Sequence, residues 1–176
     1  LDAGTRIGFD PKLHTPAGLH KIEEAAARAK ATPVPIAGNL IAKVWVGQPP
    51  PPSAPAIVYP DKFAGRTSAE KRAEIAKLLK ADGHDALVIS ALDDIAWLFN
   101  IRGDDVEFSP LLLAYAVLTA DGRATLCVDA REILPDVRAH LGADVTISPY
   151  DVLPEVLQAL PESAKVVAVD RDTGSK

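Results

Sequence analysis

Four aspartates flank a lone arginine in one short stretch: Asp93-Asp94, then Arg102-Gly103, then Asp104-Asp105. Paired carboxylates can gather a divalent cation or divide general acid and general base work between them. A hard cation needs several oxygens converging on one point, and this spacing assembles no such set. Asp93 and Asp94 fall where a helix should begin, and carboxylates there complement the helix dipole and its free N–H groups. Asp104 and Asp105 follow Gly103 in a polar loop, where acids are ordinarily solvated. Arg102 sits just past the expected helix end. Its guanidinium could clamp a carboxylate, such as a peptide terminus, with two parallel hydrogen bonds. It could equally pair with Asp104 or Asp105 and tie the loop down, and the nearness of those acids favours this structural role. Arg102 is therefore the one substrate-lining candidate. No residue is assigned as catalytic and none as a metal ligand.

The remaining reactive side chains are scattered. His14, His20, His84 and His140 lie in different elements without zinc-ligand spacing, and one cysteine cannot build a sulfur-rich site. Cys127 could in principle act as a nucleophile beside a histidine. Its place in the alternating apolar run Leu126-Cys127-Val128 marks it instead as a small buried thiol. Neither a G-x-G-x-x-G nor a P-loop pattern follows any strand, and no G-x-S-x-G elbow occurs. An α/β pattern alone does not imply nucleotide binding.

The elements that must position these residues alternate. Arg6–Phe9 reads as a strand, followed by a helix capped by Thr15 with Pro16 at its first position, running to about Lys30. Leu19, Ile22 and Ala26 give that helix a modest apolar stripe. Val34 and Ile36 suggest a short strand, and Asn39 should cap a short helix through Trp45 with Leu40, Ile41 and Val44 turned inward. These elements are too few to close a sheet and read as the tail of a preceding α/β domain. Six prolines between Pro49 and Pro60 imply an extended, semi-rigid segment. It could be a ligand for an aromatic-lined module, but a stiff interdomain connector is the preferred reading.

Beyond it, Thr67 and Glu70 make a capping box for a helix ending near Gly83, with Ile75, Ala76, Leu78 and Leu79 on its buried side. Ala86–Ser90 is a buried strand, Leu92–Asn100 a helix, and Leu111–Thr119 a longer strand. Asp121-Gly122 turns a hairpin into Ala124–Val128. Glu132–Leu141 is helical in part, broken or begun by Pro135. Val145–Ile147 is a strand, Val152–Leu160 a helix opened by Asp151, and Val166–Val169 a last strand. The sum is an α/β fold, a mixed sheet flanked by helices and preceded by a partial α/β domain. The boundaries expected are 1–48 for the remnant of a first domain, 49–60 for the linker and 61–176 for the main domain.

At 176 residues the chain can bury roughly 70% of its unfolded surface if it forms one body. A hydrophobic content of 48% and a charged content of 24% suit an ordinary globular protein. The net charge of −5 disfavours nucleic acid as a partner. No apolar run approaches the roughly 20 residues that span a bilayer, no signal peptide opens the chain, and a single cysteine makes the cytoplasm the expected compartment. The chain begins without an initiator Met and stops just after an expected strand, so it is read as a fragment of a longer protein.

The stretch Ser90–Val106 (SALDDIAWLFNIRGDDV) resembles the middle domain of the three-domain aminopeptidase P (Xaa-Pro aminopeptidase) family. Ile7–Thr15 (IGFDPKLHT) is similar to the end of that family's first domain. Trp45 with Gln48-Pro49-Pro50-Pro51-Pro52 resembles its interdomain segment, and Tyr59–Arg72, with AGRTSAEKR at 64–72, the entry to its middle domain. The motifs occur in the family's order, cover most of the chain and are specific as a set. The resemblance implies a creatinase/prolidase N-terminal-like fold and a parent metallo-aminopeptidase that removes the N-terminal residue preceding proline. It implies two manganese ions, held by two Asp, one His and two Glu of a C-terminal catalytic domain to which no residue here corresponds. The family's substrate-contacting arginine of the first domain lies upstream of Leu1. The implied partners are the parent's own first and catalytic domains, short proline-containing peptides and a second subunit of a homodimer, with no nucleic acid and no membrane. The segment itself is expected to carry no cofactor and no peptidase activity, and to shape access to the active site. The rival expectation is a stand-alone binding or oligomerisation module. A second rival is a small α/β enzyme using Arg102 with Asp104 or Asp105.

Overall fold

Proline and short polar caps set where the first helices start. In the computed structural model, which describes residues 1–162 and 164–174, Thr15 accepts the Gly18 amide at 3.1 Å and Pro16 opens α1 (Pro16–Arg28). This helix links two parallel strands, β1 (Arg6–Phe9) and β2 (Thr32–Pro35). Leu19 and Ala26 are its buried residues. Asn39 caps the short α2 (Leu40–Val44) by accepting the Ile41 and Ala42 amides at 2.8 and 3.1 Å. The cap is as expected, but the inward apolar face is not. Leu40, Ile41 and Val44 are all exposed. A five-residue helix presents too little surface to bury itself, and Asn39 satisfies its amides without help from packing.

These elements form one of two units, Leu1–Pro51 with the described residues from Arg171 onward; the other is Pro52–Asp170. The second unit contains β3 (Ile57–Val58), α3 (Asp61–Ala64), α4 (Ser68–Ala81), β4 (Ala86–Ile89), α5 (Leu92–Phe99), β5 (Ile101–Arg102), β6 (Ala114–Thr119) and β7 (Ala124–Val128). It continues with α6 (Pro135–Leu141), β8 (Val145–Ser148), α7 (Leu153–Gln158) and β9 (Val167–Val169). Five strands form a sheet in the order β8-β7-β6-β4-β9. The neighbours of β6 are antiparallel to it, while β4–β9 and β7–β8 are parallel, so the sheet is mixed.

Strand periodicity assigns the two faces. Ala114, Ala116 and Leu118 of β6, with Leu126 and Val128 of β7, meet Ile95, Leu98 and Phe99 of α5 and Val137 and Leu141 of α6 in the main core. Ala86, Val88 and Val117 point the other way and pack with Leu153, Val156 and Leu157. A separate two-stranded ribbon pairs β3 with β5 antiparallel, so Ile57 and Val58, within the proline-rich segment, are paired backbone rather than free linker.

Two expected elements have other bounds, and a third buries other residues than expected. The strand expected from Leu111 begins at Ala114, because the backbone before it is bonded to the loop instead of the sheet. Gly103 N–H donates to the Pro110 carbonyl, Asp105 N–H to the Leu111 carbonyl, and Leu113 N–H to Asp105 Oδ2. The helix expected over 152–160 with Asp151 as its cap is a 3-10 turn at Tyr150–Val152 followed by α7, with no side-chain cap. Pro154 near its start needs no amide partner, which removes part of the demand for one. On α4 the Thr67–Glu70 capping box is present, but Leu78 is 55% exposed and Lys71 and Arg72 are buried in its stead.

Gly103 lies where the loop and the approach to β6 touch. A Cβ built there would stand 2.9 Å from the Leu111 carbonyl oxygen and 2.9 Å from the Leu112 Cα. Both are backbone atoms, which cannot step aside as a side chain can. Gly103→Ala should therefore lower stability by about 1–3 kcal/mol, read as an earlier urea midpoint at unchanged slope. An unchanged midpoint contradicts this packing.

Candidate functional site

The residues singled out in the sequence surround α5. Asp93 and Asp94 stand in its first turn, and no side chain caps it, so their charge is the complement to its free amides. Burial raises the Asp94 carboxyl above the usual carboxylate range, with Asp93 and Asp170 adding to the rise. At the other end the helix stops on Asn100, whose φ of 50° places it in the left-handed region. Asn tolerates that region better than most residues.

The last turn of an α-helix leaves carbonyls without intrahelical partners. Here three basic side chains supply donors. Arg102 Nη1 donates to the Ala96 carbonyl at 2.8 Å and to that of Ile101 at 2.8 Å. Lys71 Nζ donates to the Trp97 carbonyl at 2.8 Å. His140 Nε2 donates to the Phe99 carbonyl at 2.9 Å. Cations at a helix carboxyl end also meet the favourable side of its dipole. The expected pairing of Arg102 with Asp104 or Asp105 does not form among the described residues: the guanidinium is taken by α5 carbonyls, Asp105 turns to the Leu113 amide and Asp104 is exposed. The guanidinium stacks 4.2 Å above the Tyr59 ring, and Tyr59 lies 6.2 Å from Phe63.

Asn100 ties this corner to the segment before α4. Its Oδ1 accepts Lys71 Nζ at 2.6 Å, and its Nδ2 donates to Asp61 Oδ1 at 2.9 Å and the Arg66 carbonyl at 2.8 Å. Its own carbonyl accepts the Tyr59 amide. Lys71 is 2% exposed, stands over the Trp97 ring at 4.6 Å, and has its pKa lowered first by burial and then by Arg66 and Arg102. Neither Asn100 nor Lys71 is a site candidate from the sequence. A lysine within a charged helix face reads as solvated, and only the helix-end Asn was a hint.

The other sequence candidates separate. Asp104 is exposed, whereas Asp105 turns inward to the Leu113 amide. Cys127 is fully buried and burial pushes its thiol up to about 11, so almost no thiolate exists at neutral pH. His14 packs edge-on against Phe9, and His20 reaches Glu23 and Glu24 on α1; neither approaches a nucleophile. Among the described residues, no group of three or more His, Cys, Asp or Glu side chains could hold a metal ion. No described helix is long and apolar enough to cross a membrane. What the α5–β5 corner offers is a rigid guanidinium on an aromatic platform, suited to holding an anionic or carbonyl group.

The second unit is thus an α/β domain, a mixed sheet flanked by helices, with a corner of buried hydrogen bonds at the end of α5. Residues 47–175 match the model of the creatinase/prolidase N-terminal domain, and the chain belongs to that family. It is 42% identical over 99% of its length to the "Probable Xaa-Pro aminopeptidase P" of Neosartorya fischeri, and 41% identical over 98% to the protein of the same name in Aspergillus fumigatus. It covers 26% of each of those proteins. Among solved structures, the X-prolyl aminopeptidase of Caenorhabditis elegans, described as a cytosolic enzyme with a di-nuclear active site, superposes with a TM-score of 0.83. That match is 31% identical in sequence and covers 96% of this chain and 28% of that one. The chain thus spans about a quarter of the length of these relatives.

Replacing Asn100 by alanine leaves the Lys71 ammonium one acceptor short and puts a Cβ-bearing residue without a compensating polar group in the left-handed region. Asn100→Ala should cost about 3 kcal/mol in chemical denaturation. Asn100→Gly, which adopts that backbone freely, should recover about 1 kcal/mol of the loss. Equal stability of the three proteins would remove Asn100 from its central place.

Proposed function

We propose that this chain is a non-catalytic segment of a metal-dependent Xaa-Pro aminopeptidase, and that its larger unit shapes access to an active site held by another part of the longer protein. The observation that carries this reading is the superposition of nearly the whole chain on one quarter of the X-prolyl aminopeptidase of C. elegans. In this reading Pro52–Asp170 is a middle domain, and the residues before it are the end of a first domain. Its partners are the parent's own first and catalytic domains, a second subunit, and short peptides with proline second. The compartment is the cytoplasm. The two manganese ions of the reading are ligated outside this chain, where metal ions would polarise the scissile carbonyl and activate water.

Within this reading Arg102 is the residue that reaches substrate. It is half-buried, it is held by α5 and Tyr59, and both of its hydrogen bonds leave from Nη1. A fixed guanidinium can donate to a peptide carboxylate or carbonyl without ordering a flexible side chain first. Walls of this kind set which peptides enter without holding a reacting group.

Two measurements test the proposal. The 176-residue chain, supplied with manganese, should release no N-terminal residue from Xaa-Pro peptides, and the longer protein that contains it should. Turnover that stays with the purified 176-residue chain contradicts the reading. In the longer protein, Arg102→Ala should lower kcat/KM for short peptides about tenfold, equivalent to about 1.4 kcal/mol. Unchanged efficiency would make the loop purely structural.

A further inference from the structure

Two carboxyl groups lie against each other where the loop after β5 meets the connection between β7 and α6. Glu132 is 1% exposed, and its Oε2 is buried without a donor. Asp105 Oδ1 is likewise buried without a donor, while Asp105 Oδ2 accepts the Leu113 amide at 2.8 Å. Glu132 cannot easily leave, because its N–H donates to the Asp129 carbonyl and its carbonyl accepts the Ala56 amide at 2.9 Å. The charged groups facing it are Asp105 from the loop and Asp129 and Arg131 from its own connection. Arg131 is engaged by the Asp129 carboxylate through Nε and Nη2, and its charge offsets only part of the repulsion that Glu132 meets.

Two unpaired carboxylates packed together out of water are strongly disfavoured. A carboxylic acid, by contrast, carries a donor. One proton placed between the groups converts two orphaned acceptors into a hydrogen bond. The neutral, protonated form is thus the one the packing selects, as in other carboxyl pairs that share a site.

We propose that Asp105 and Glu132 share a single proton and form a pH-releasable clasp that holds the 103–113 loop, and the Arg102 edge beside it, against the β7–α6 connection. Glu132 carries the proton. Burial, with repulsion from Asp105 and Asp129, pushes its carboxyl up to about 8. Because the folded value lies above the unfolded one, the unfolded chain gives up its proton first as pH rises. The clasp contributes fully below the ordinary glutamate range, weakens steadily above it, and is lost once pH passes about 8. The loop is accordingly held most tightly in mildly acidic solution and released in alkaline solution.

The test is a carboxyl-detected NMR titration of the 176-residue chain, with amide exchange at Leu113 followed in the same samples. Glu132 should titrate with a midpoint of about 8 rather than near 4.5. Leu113 protection, corrected for intrinsic exchange, should fall by up to about tenfold per pH unit below that midpoint. Glu132→Gln keeps the shape and donates to Asp105 without titrating, so its Leu113 protection should stay level across the same range. A Glu132 midpoint in the ordinary range, or identical pH dependence in the two proteins, overturns the clasp. The titration is read on the unsubstituted chain, so it decides the question even if Glu132→Gln folds poorly.

Discussion

A helix that ends inside a protein must find donors for its last carbonyls, and α5 ends beneath the chain that follows it. Water does not reach Ala96 and Phe99, which are both buried, and a buried carbonyl without a donor costs about 1–3 kcal/mol. Arg102, Lys71 and His140 answer that demand from three different parts of the chain. Each then constrains its own neighbourhood. Lys71 fixes α4 against α5, His140 fixes α6, and Arg102 fixes the start of the loop that runs to β6. Much of the second unit is organised by satisfying one helix end.

The burial of Lys71 shows how far this goes. Lysine is among the residues least often enclosed unless it is paired, and removing an ammonium from water is expensive. Asn100 Oδ1 and the Trp97 carbonyl replace the lost hydration, and the face of the Trp97 ring adds a cation–π contact. The acceptors are neutral, which is why burial leaves the ammonium easier to deprotonate than usual. The corner gains rigidity rather than reactivity. The Arg102 guanidinium beside it is likewise held on a fixed platform, the Tyr59 ring.

The same unit also contains the opposite solution to buried charge. Where Lys71 found dipoles, Asp105 Oδ1 and Glu132 Oε2 are buried without a donor. The loop between Gly103 and Leu113 is thus bounded by two unlike constraints, a cation held on carbonyls at one end and a carboxyl pair at the other. Its backbone hydrogen bonds close on themselves, which explains why the strand β6 starts later than its apolar residues suggest.

Several features were legible because they act between near neighbours. Thr15, Asn39 and Thr67 cap the helices their positions indicate, and Asp121-Gly122 turns the hairpin between β6 and β7. Alternating apolar residues marked the strands, and the pattern of strands and helices indicated a mixed α/β sheet. The motif Ser90–Val106 pointed to the family, and Asp93 and Asp94 were recognisable as helix-start acids. Only the tertiary structure decided which charged residues are inside. Lys71 meets Asn100 across 29 positions and His140 meets Phe99 across 41, and nothing local distinguishes those side chains from solvated ones. The helix expected over part of 132–141 begins at Pro135, one of the readings the sequence left open, but the enclosure of Glu132 before it was not legible. Leu40, Ile41 and Val44 read as core and are exposed, because a periodic face is buried only if the fold brings something to cover it. Short-range sterics and hydrogen bonding belong to the sequence; the partner of a charge belongs to the packing, since its cost depends on what surrounds it in space.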